Sequence, residues 1–294
     1  MDPVASAPQP VEAREPSAAT TVVGVIGDPI SHSLSPLLHN TAFSALGLDW
    51  VSVGFPVSSG HAQVAVSGAR ALGVRGLSVT MPHKEEVAGL VDRRSPSADR
   101  LGAVNCVSFE AAATIGENTD GAGLVAALRR GARFDPEGCR CLVIGAGGAA
   151  RAVIDALAGA GASEVIVVNR TRERAEVAAA LARGVGRVGL AADVVGCDLV
   201  VNATPIGMGA RTAGALPLDP TLLSAGQTVV DLIYHPFETE WLHAARQRGA
   251  VTSNGLGMLI HQAAMQLAIW TGLEQPVEAM WAAIRSVGAV EPAS

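Results

Sequence analysis

The chain has 294 residues, a net charge of −6 and a pI near 5.6; 49% of its residues are apolar but only 3% are aromatic. That length accommodates two ordinary domains or one closed α/β barrel. The acidic balance argues against general nucleic-acid binding, which needs a basic patch, and the short, interrupted apolar runs against a membrane helix of roughly 20 apolar residues.

Residues 1–20 carry Pro3, Pro8, Pro10 and Pro16 among small and acidic residues, without the basic start and apolar stretch of a secretory signal. They read as a disordered tail on a cytoplasmic protein. From Thr21 the pattern predicts strands over Thr21–Ile26, Trp50–Phe55 and Arg75–Val79, separated by helices over Pro36–Leu46 and His61–Leu72. This βαβ rhythm predicts a largely parallel first sheet. Val104–Phe109 and Ala111–Ile115 read as a hairpin, followed by a helix over Gly121–Arg130.

A second unit opens with a strand at Arg140–Ile144, a Gly-rich turn, a helix over Ala149–Ala158 and a strand at Glu164–Val168. Further strands are expected at Arg187–Leu190, Asp198–Asn202, Thr228–Leu232 and Ala250–Thr252, with a helix over Glu238–Arg248. Two closing helices, Met258–Thr271 and Pro276–Ser286, have no following strand and are free to return to the first domain. The expected class is therefore α/β, with a mainly parallel α/β substrate domain and a Rossmann-type nucleotide domain.

Cys106, Cys139, Cys141 and Cys197 have neither CxxC spacing nor a histidine at zinc-site spacing, so they read as reduced thiols with no metal. The basic residues are more pointed, being 20 arginines and one lysine, Lys84. Arginine does not release its proton near neutral pH, whereas a lysine can be tuned to do so. A solvated surface lysine is the alternative.

The run Gly145-Ala146-Gly147-Gly148-Ala149-Ala150-Arg151 fits G-x-G-x-x-A between an apolar strand and a helix. Gly145 allows the tight turn, Gly147 lets the backbone approach a pyrophosphate, and small Ala150 permits close helix–strand contact. The next strand ends in Asn169-Arg170-Thr171, with Arg174 following, where an NAD site has a carboxylate. Arg170 and Arg174 suit a 2′-phosphate, so NADP is the expected cofactor. The alternative is that both arginines only decorate a helix start.

Three further segments carry polar groups at strand ends. Ser33 and Ser35 precede Pro36, where their hydroxyls could cap a helix or bind a ligand. Thr80 and Lys84 follow the third strand, at the end where open α/β sheets bind ligands. Asp120 opens a helix, as an N-terminal acid or as a reactive carboxylate.

Together the segments Gly24–Asn40, Val79–Lys84, Gly102–Asn105, Gly116–Asp120, Gly145–Arg151, Asn169–Thr171, Asn202–Met208 and Gly257–Gln262 resemble shikimate dehydrogenases, in order, from about residue 22 to 285. The resemblance implies a substrate domain of residues 21–120 plus 256–294, and an NADP domain of residues 121–255. It implies that Lys84 and Asp120 handle the proton, and that Ser33, Ser35, Thr80, Asn105, Tyr234 and Gln262 bind substrate. It assigns Gly145, Ala146, Gly147, Gly148, Ala149, Asn169, Arg170, Thr171, Arg174, Thr204 and Gly255 to the cofactor. The expected reaction is reduction of 3-dehydroshikimate by NADPH in a monomer or homodimer. Rivals are a quinate or aminoshikimate dehydrogenase and a non-catalytic NADP-binding sensor. Ser78 replaces the Asn and Cys106 the Thr usual in the family, which bears on substrate preference more than on reaction type.

Overall fold

The computed structural model describes residues 15–208 and 214–288. Of the expected tail, residues 1–14 lie outside the described residues. Two six-stranded sheets carry the fold.

The first sheet comprises β1 (Thr21–Gly27), β2 (Trp50–Pro56), β3 (Gly76–Val79), β4 (Arg93–Arg94), β5 (Cys106–Phe109) and β6 (Thr114–Glu117), in the order β2-β1-β3-β5-β6-β4. β1 pairs in parallel with β2 and β3, but β5 runs antiparallel to both β3 and β6, so the sheet is more mixed than the βαβ rhythm suggests. The hairpin's second strand starts three residues later than expected, because Glu110 N bonds Ala113 O and closes the turn over residues 110–113.

Helices α1 (Ser35–Ala45), α2 (Ala62–Ala71), α3 (Lys84–Ala88) and α4 (Pro96–Leu101) flank this sheet, and α5 (Asp120–Arg130) leads away from it. The Pro36 ring fits the first turn of α1, where a missing N–H costs nothing. The sequence reading missed α4, although its ends are marked. Ser95 Oγ accepts from Ala98 N, Pro96 opens the helix, and Gly102 closes it at φ 57°.

The second sheet is wholly parallel, in the order β12-β11-β10-β7-β8-β9. Its strands are β7 (Arg140–Ile144), β8 (Glu164–Val168), β9 (Gly186–Val188), β10 (Leu199–Asn202), β11 (Thr228–Asp231) and β12 (Val251–Ser253). α5, α6 (Gly148–Gly159) and α7 (Arg172–Ala179) cover one face through Leu124, Leu128, Val153, Leu157 and Ala175, and α8 (Glu240–Gln247) covers the other through Trp241 and Leu242. Burial on both faces is why the central strands β7, β8, β10 and β11 read as runs of Val, Ile and Leu, unlike the edge strands β9 and β12.

The closing helices α9 (Leu256–Thr271) and α10 (Val277–Ser286) pack on the first sheet, burying Ile260, Leu267, Trp270, Met280 and Ile284 against Val23, Leu38 and Phe43. α5 touches both halves: it contributes Leu124 and Leu128 to the second sheet's core and lies against α9. The α5–α9 contact is close because Gly123 has no side chain. A Cβ there would stand 2.8 Å from Gln262 N.

Candidate active site

The sheet order gathers the polar segments at one edge. Thr80 and Lys84 follow β3, Asn105 precedes the antiparallel β5, and Asp120 follows β6. Reversing β5 turns its start toward the carboxyl ends of β3 and β6, so Lys84, Asn105 and Asp120 meet. Lys84 Nζ donates to Asp120 Oδ2 at 2.6 Å, with side-chain exposures of 20% and 6%. Asn105 Nδ2 donates to the other carboxylate oxygen at 2.8 Å, and Thr119 N donates back to Asn105 Oδ1 at 2.8 Å. Gln262, delivered by α9, accepts from Asn105 Nδ2 at 3.3 Å. The partly open ammonium can therefore meet a ligand while its carboxylate partner is held from behind.

Thr80 lies beside the loop after β1. Its methyl group fills the space a side chain at Gly27 would need, and Asp28 N donates to Met81 O at 2.9 Å. Ser33 Oγ accepts from Ser35 N at 3.3 Å, although the N-cap of α1 is Leu34 and carries no side-chain cap bond, while Ser35 is buried. Tyr234 follows β11 yet packs against the Ile260 and Leu256 cluster of the first half, and burial pushes its phenol up from its usual value. Among the described residues the structure does not bring Ser33, Ser35, Thr80 or Tyr234 into the hydrogen-bonded group around Lys84.

The second sheet presents a matching edge. Gly145, at the end of β7, has φ 117°, a conformation an L side chain rarely adopts, and its N donates to Val168 O at 2.8 Å. Thr204, after β10, lies against it and is fixed by Asn202, whose Oδ1 accepts from Thr204 Oγ1 at 2.7 Å. Asn202 Nδ2 donates in turn to Asp231 Oδ1 at 3.0 Å. Burial pushes the Asp231 carboxyl up to about 6, against the hydrogen bonds it accepts from Ile233, Thr239 and Asn202. Gly255 begins α9 pressed on the Leu232 carbonyl, where no side chain fits.

The dinucleotide fits these residues. A Cβ placed on Gly147 or Gly148 meets nothing within 4 Å, so the start of α6 borders open space, with Ala146 and Ala149 as small neighbours. Helix N-termini of this kind hold phosphate through free N–H groups and the helix dipole. At the end of β8, Asn169 Nδ2 donates to Thr171 O at 2.9 Å and shapes the loop. Arg170 and Arg174 are exposed, and neither side chain makes an ion pair or hydrogen bond among the described residues. No carboxylate occupies the strand end, which is the donor set a 2′-phosphate requires. Arg151 on α6 reaches across to Glu85 on α3 at 3.5 Å, linking the two edges.

Three models match the sequence along its length: "Shikimate dehydrogenase substrate binding domain" over residues 25–107, "Shikimate / quinate 5-dehydrogenase" over 129–204, and "Shikimate 5'-dehydrogenase C-terminal domain" over 255–285. Shikimate dehydrogenase (NADP(+)) of Moorella thermoacetica is 45% identical over 273 residues, covering 90% of this chain and 92% of its own. The chain belongs to the shikimate dehydrogenase family. A solved shikimate dehydrogenase in complex with NADP+ shares 40% identity, with a TM-score of 0.87 over 94% of this chain and 98% of that one. The Thermus thermophilus family member, solved with NADP(H) and shikimate, shares 35% identity, with a TM-score of 0.85 over 92% and 100%.

Within this family frame two contributors were missed by the sequence reading. Thr119 Oγ1 donates to Gln262 O at 3.1 Å and tethers the start of α5 to α9. Gln266 is a fully buried polar residue one turn beyond buried Gln262, on a helix whose other buried residues are mostly apolar. Its i, i+4 spacing from Gln262 was the available signal.

Proposed function

We propose that the chain catalyses reversible NADPH-dependent reduction of 3-dehydroshikimate to shikimate, with Lys84 and Asp120 as its proton-handling pair. The observation that carries this reading is the 2.6 Å Lys84–Asp120 contact on a carboxylate whose second oxygen is held by Asn105. Residues 21–120 plus 256–294 bind the ring acid and residues 121–255 bind the dinucleotide. Ser33, Ser35, Thr80, Asn105, Tyr234 and Gln262 contribute hydroxyl, phenol and amide groups for the carboxylate and hydroxyls of the substrate.

When bound, the nicotinamide supplies the hydride that reduces the ketone. Gly145, Gly147 and Gly148 at the start of α6 hold the pyrophosphate; Ala146, Ala149, Thr204 and Gly255 line the same edge. Asn169, Arg170, Thr171 and Arg174 hold the 2′-phosphate. As negative charge builds on the substrate oxygen, the Lys84 ammonium donates a proton to it; in the reverse direction Lys84 Nζ takes the proton from the shikimate hydroxyl. Asp120 keeps the ammonium aimed at that oxygen. Positioned acid–base groups of this kind contribute about 10² to 10⁴-fold in rate.

The test is a panel of shikimate and quinate, each with NADP and NAD, read by absorbance of the reduced cofactor. The highest kcat/KM is expected for shikimate with NADP. A quinate or NAD preference overturns the substrate or cofactor assignment, and absence of turnover across the panel leaves a non-catalytic NADP-binding protein.

A further inference from the structure

Gln266 is fully buried on α9, flanked by the buried apolar residues Ala263, Leu267 and Trp270. Its Nε2 donates to Asn105 O at 3.0 Å and to Gln262 Oε1 at 2.9 Å. Its own Oε1 has no partner among the described residues. A buried amide left half-paired weakens a fold, and an apolar side chain of similar volume would fill the same space without that cost. What the amide contributes therefore lies in the two groups its hydrogens hold.

Those groups both belong to the site. Asn105 Nδ2 has two hydrogens but three acceptors within reach: Asp120 Oδ1 at 2.8 Å, Thr119 Oγ1 at 3.0 Å and Gln262 Oε1 at 3.3 Å. Gln266 serves Gln262 Oε1 at the shorter distance, which leaves the Asn105 hydrogens for Asp120 and Thr119. The second Gln266 bond goes to the Asn105 carbonyl, which also accepts from Val79 N at 2.8 Å, one residue before Thr80. One buried amide thus reaches the support of Asp120 and the strand end that carries Thr80.

We propose that Gln266 is a positioning residue for the Lys84–Asp120 pair, acting by occupying Gln262 Oε1 so that Asn105 stays committed to Asp120. The proposal rests on the reading that this pair handles the proton. Replacing Gln266 leaves no acceptor stranded, because Asn105 O keeps Val79 N and Gln262 Oε1 keeps Asn105 Nδ2. Beyond the lost bond to Asn105 O, the change falls on the competition for Asn105 Nδ2.

In the full-length chain, Gln266→Leu is expected to lower kcat for shikimate oxidation by roughly 10-fold, less than the 10²-fold that a 1 Å displacement of reacting groups can cost. KM for NADP stays unchanged, and the melting temperature is held within about 2 °C or raised. Trp270→Phe is the control: it deletes the Trp270 Nε1 to Val107 O bond of 3.0 Å on the same helix, and is expected to lower the melting temperature while leaving kcat intact. In a Gln262→Leu background, Gln266→Leu should add less than about a twofold loss, because its acceptor is gone. An unchanged kcat in Gln266→Leu overturns the proposal, as does a kcat loss that persists in full beside Gln262→Leu. Wild-type protein without turnover overturns the functional reading and this one together, whereas an active wild type matched by Gln266→Leu overturns this one alone.

Discussion

Arg100 on α4 and Asp155 on α6 form a bidentate ion pair between the two halves of the molecule, with both N–O distances at 3.0 Å. Asp155 is nearly buried and also takes Arg183 at 3.0 Å. Burial alone would raise its carboxyl, but the hydrogen bonds from Arg100 and Arg183 override it and hold it below the usual range. The pair helps line a recess between α4, α5 and α6 that does not include Lys84 or Asp120. Arg100→Met should cost about 1–2 kcal/mol, well under the 3–5 kcal/mol of breaking a fully buried pair, because Arg100 is 42% exposed and Asp155 keeps Arg183. Asp155→Ala should cost more, since it leaves two guanidinium groups facing each other. Thermal melts check this ordering, and equal melting temperatures for the two variants would contradict it.

Lys84→Arg keeps the positive charge beside Asp120 but replaces a group that can give up its proton with one that cannot. kcat should fall by roughly 10² or more, with the melting temperature little changed. Asp120→Asn should also lose kcat, through an ammonium that no longer holds its 2.6 Å contact with a carboxylate. Steady-state kinetics on the two purified variants decides the matter; wild-type kcat in Lys84→Arg would remove Lys84 from the chemistry.

Arg170 and Arg174 have no side-chain partners among the described residues, so their charge is available to a ligand phosphate. Because both are exposed, each contributes modestly, and Arg170→Ala should raise KM for NADP by about 10-fold while leaving KM for NAD unchanged. Added salt should raise KM for NADP in the wild type and do so less in the variant, as expected for a screened surface contact. Parallel loss with both nucleotides would show that Arg170 shapes the loop instead of reading the phosphate.

The second sheet was the more legible half. Strands buried on both faces, such as Cys141–Ile144 and Val165–Val168, announce themselves as apolar runs, and the glycines at residues 145–148 mark where the ligand edge begins. In the first half the short strands β4 and β6 lack such runs, and their pairing depends on a hairpin turn whose register the sequence left three residues off. Lys84 and Asp120 were individually ambiguous, one a solitary lysine and one a helix-opening acid. What joins them is the reversal of β5, a long-range pairing invisible to local pattern. Gln266 shows a related limit: its i, i+4 spacing from Gln262 is legible locally, but its bond to Asn105, 161 residues away, is not.

His39 gives the fold a defined acid sensitivity. It is fully buried on α1, with Nδ1 3.0 Å from Ser52 Oγ and the ring edge-on to Trp270 at 5.4 Å. Burial depresses its pKa to about 3, well below the usual value near 6.5. The folded chain therefore binds fewer protons here than the unfolded chain between those two values. Its stabilising effect is complete above about pH 6.5 and is lost as pH falls toward 3, at up to about 1.4 kcal/mol per pH unit. Moving from pH 6.5 to 4.5 should cost roughly 2–3 kcal/mol through this residue alone. Asp231, raised to about 6, pulls in the opposite direction, but it does so equally in wild type and in a His39→Gln variant and cancels between them. Urea unfolding at the two pH values should show a smaller loss in His39→Gln than in wild type by about that amount; equal losses would mean that the ring is not held neutral by burial.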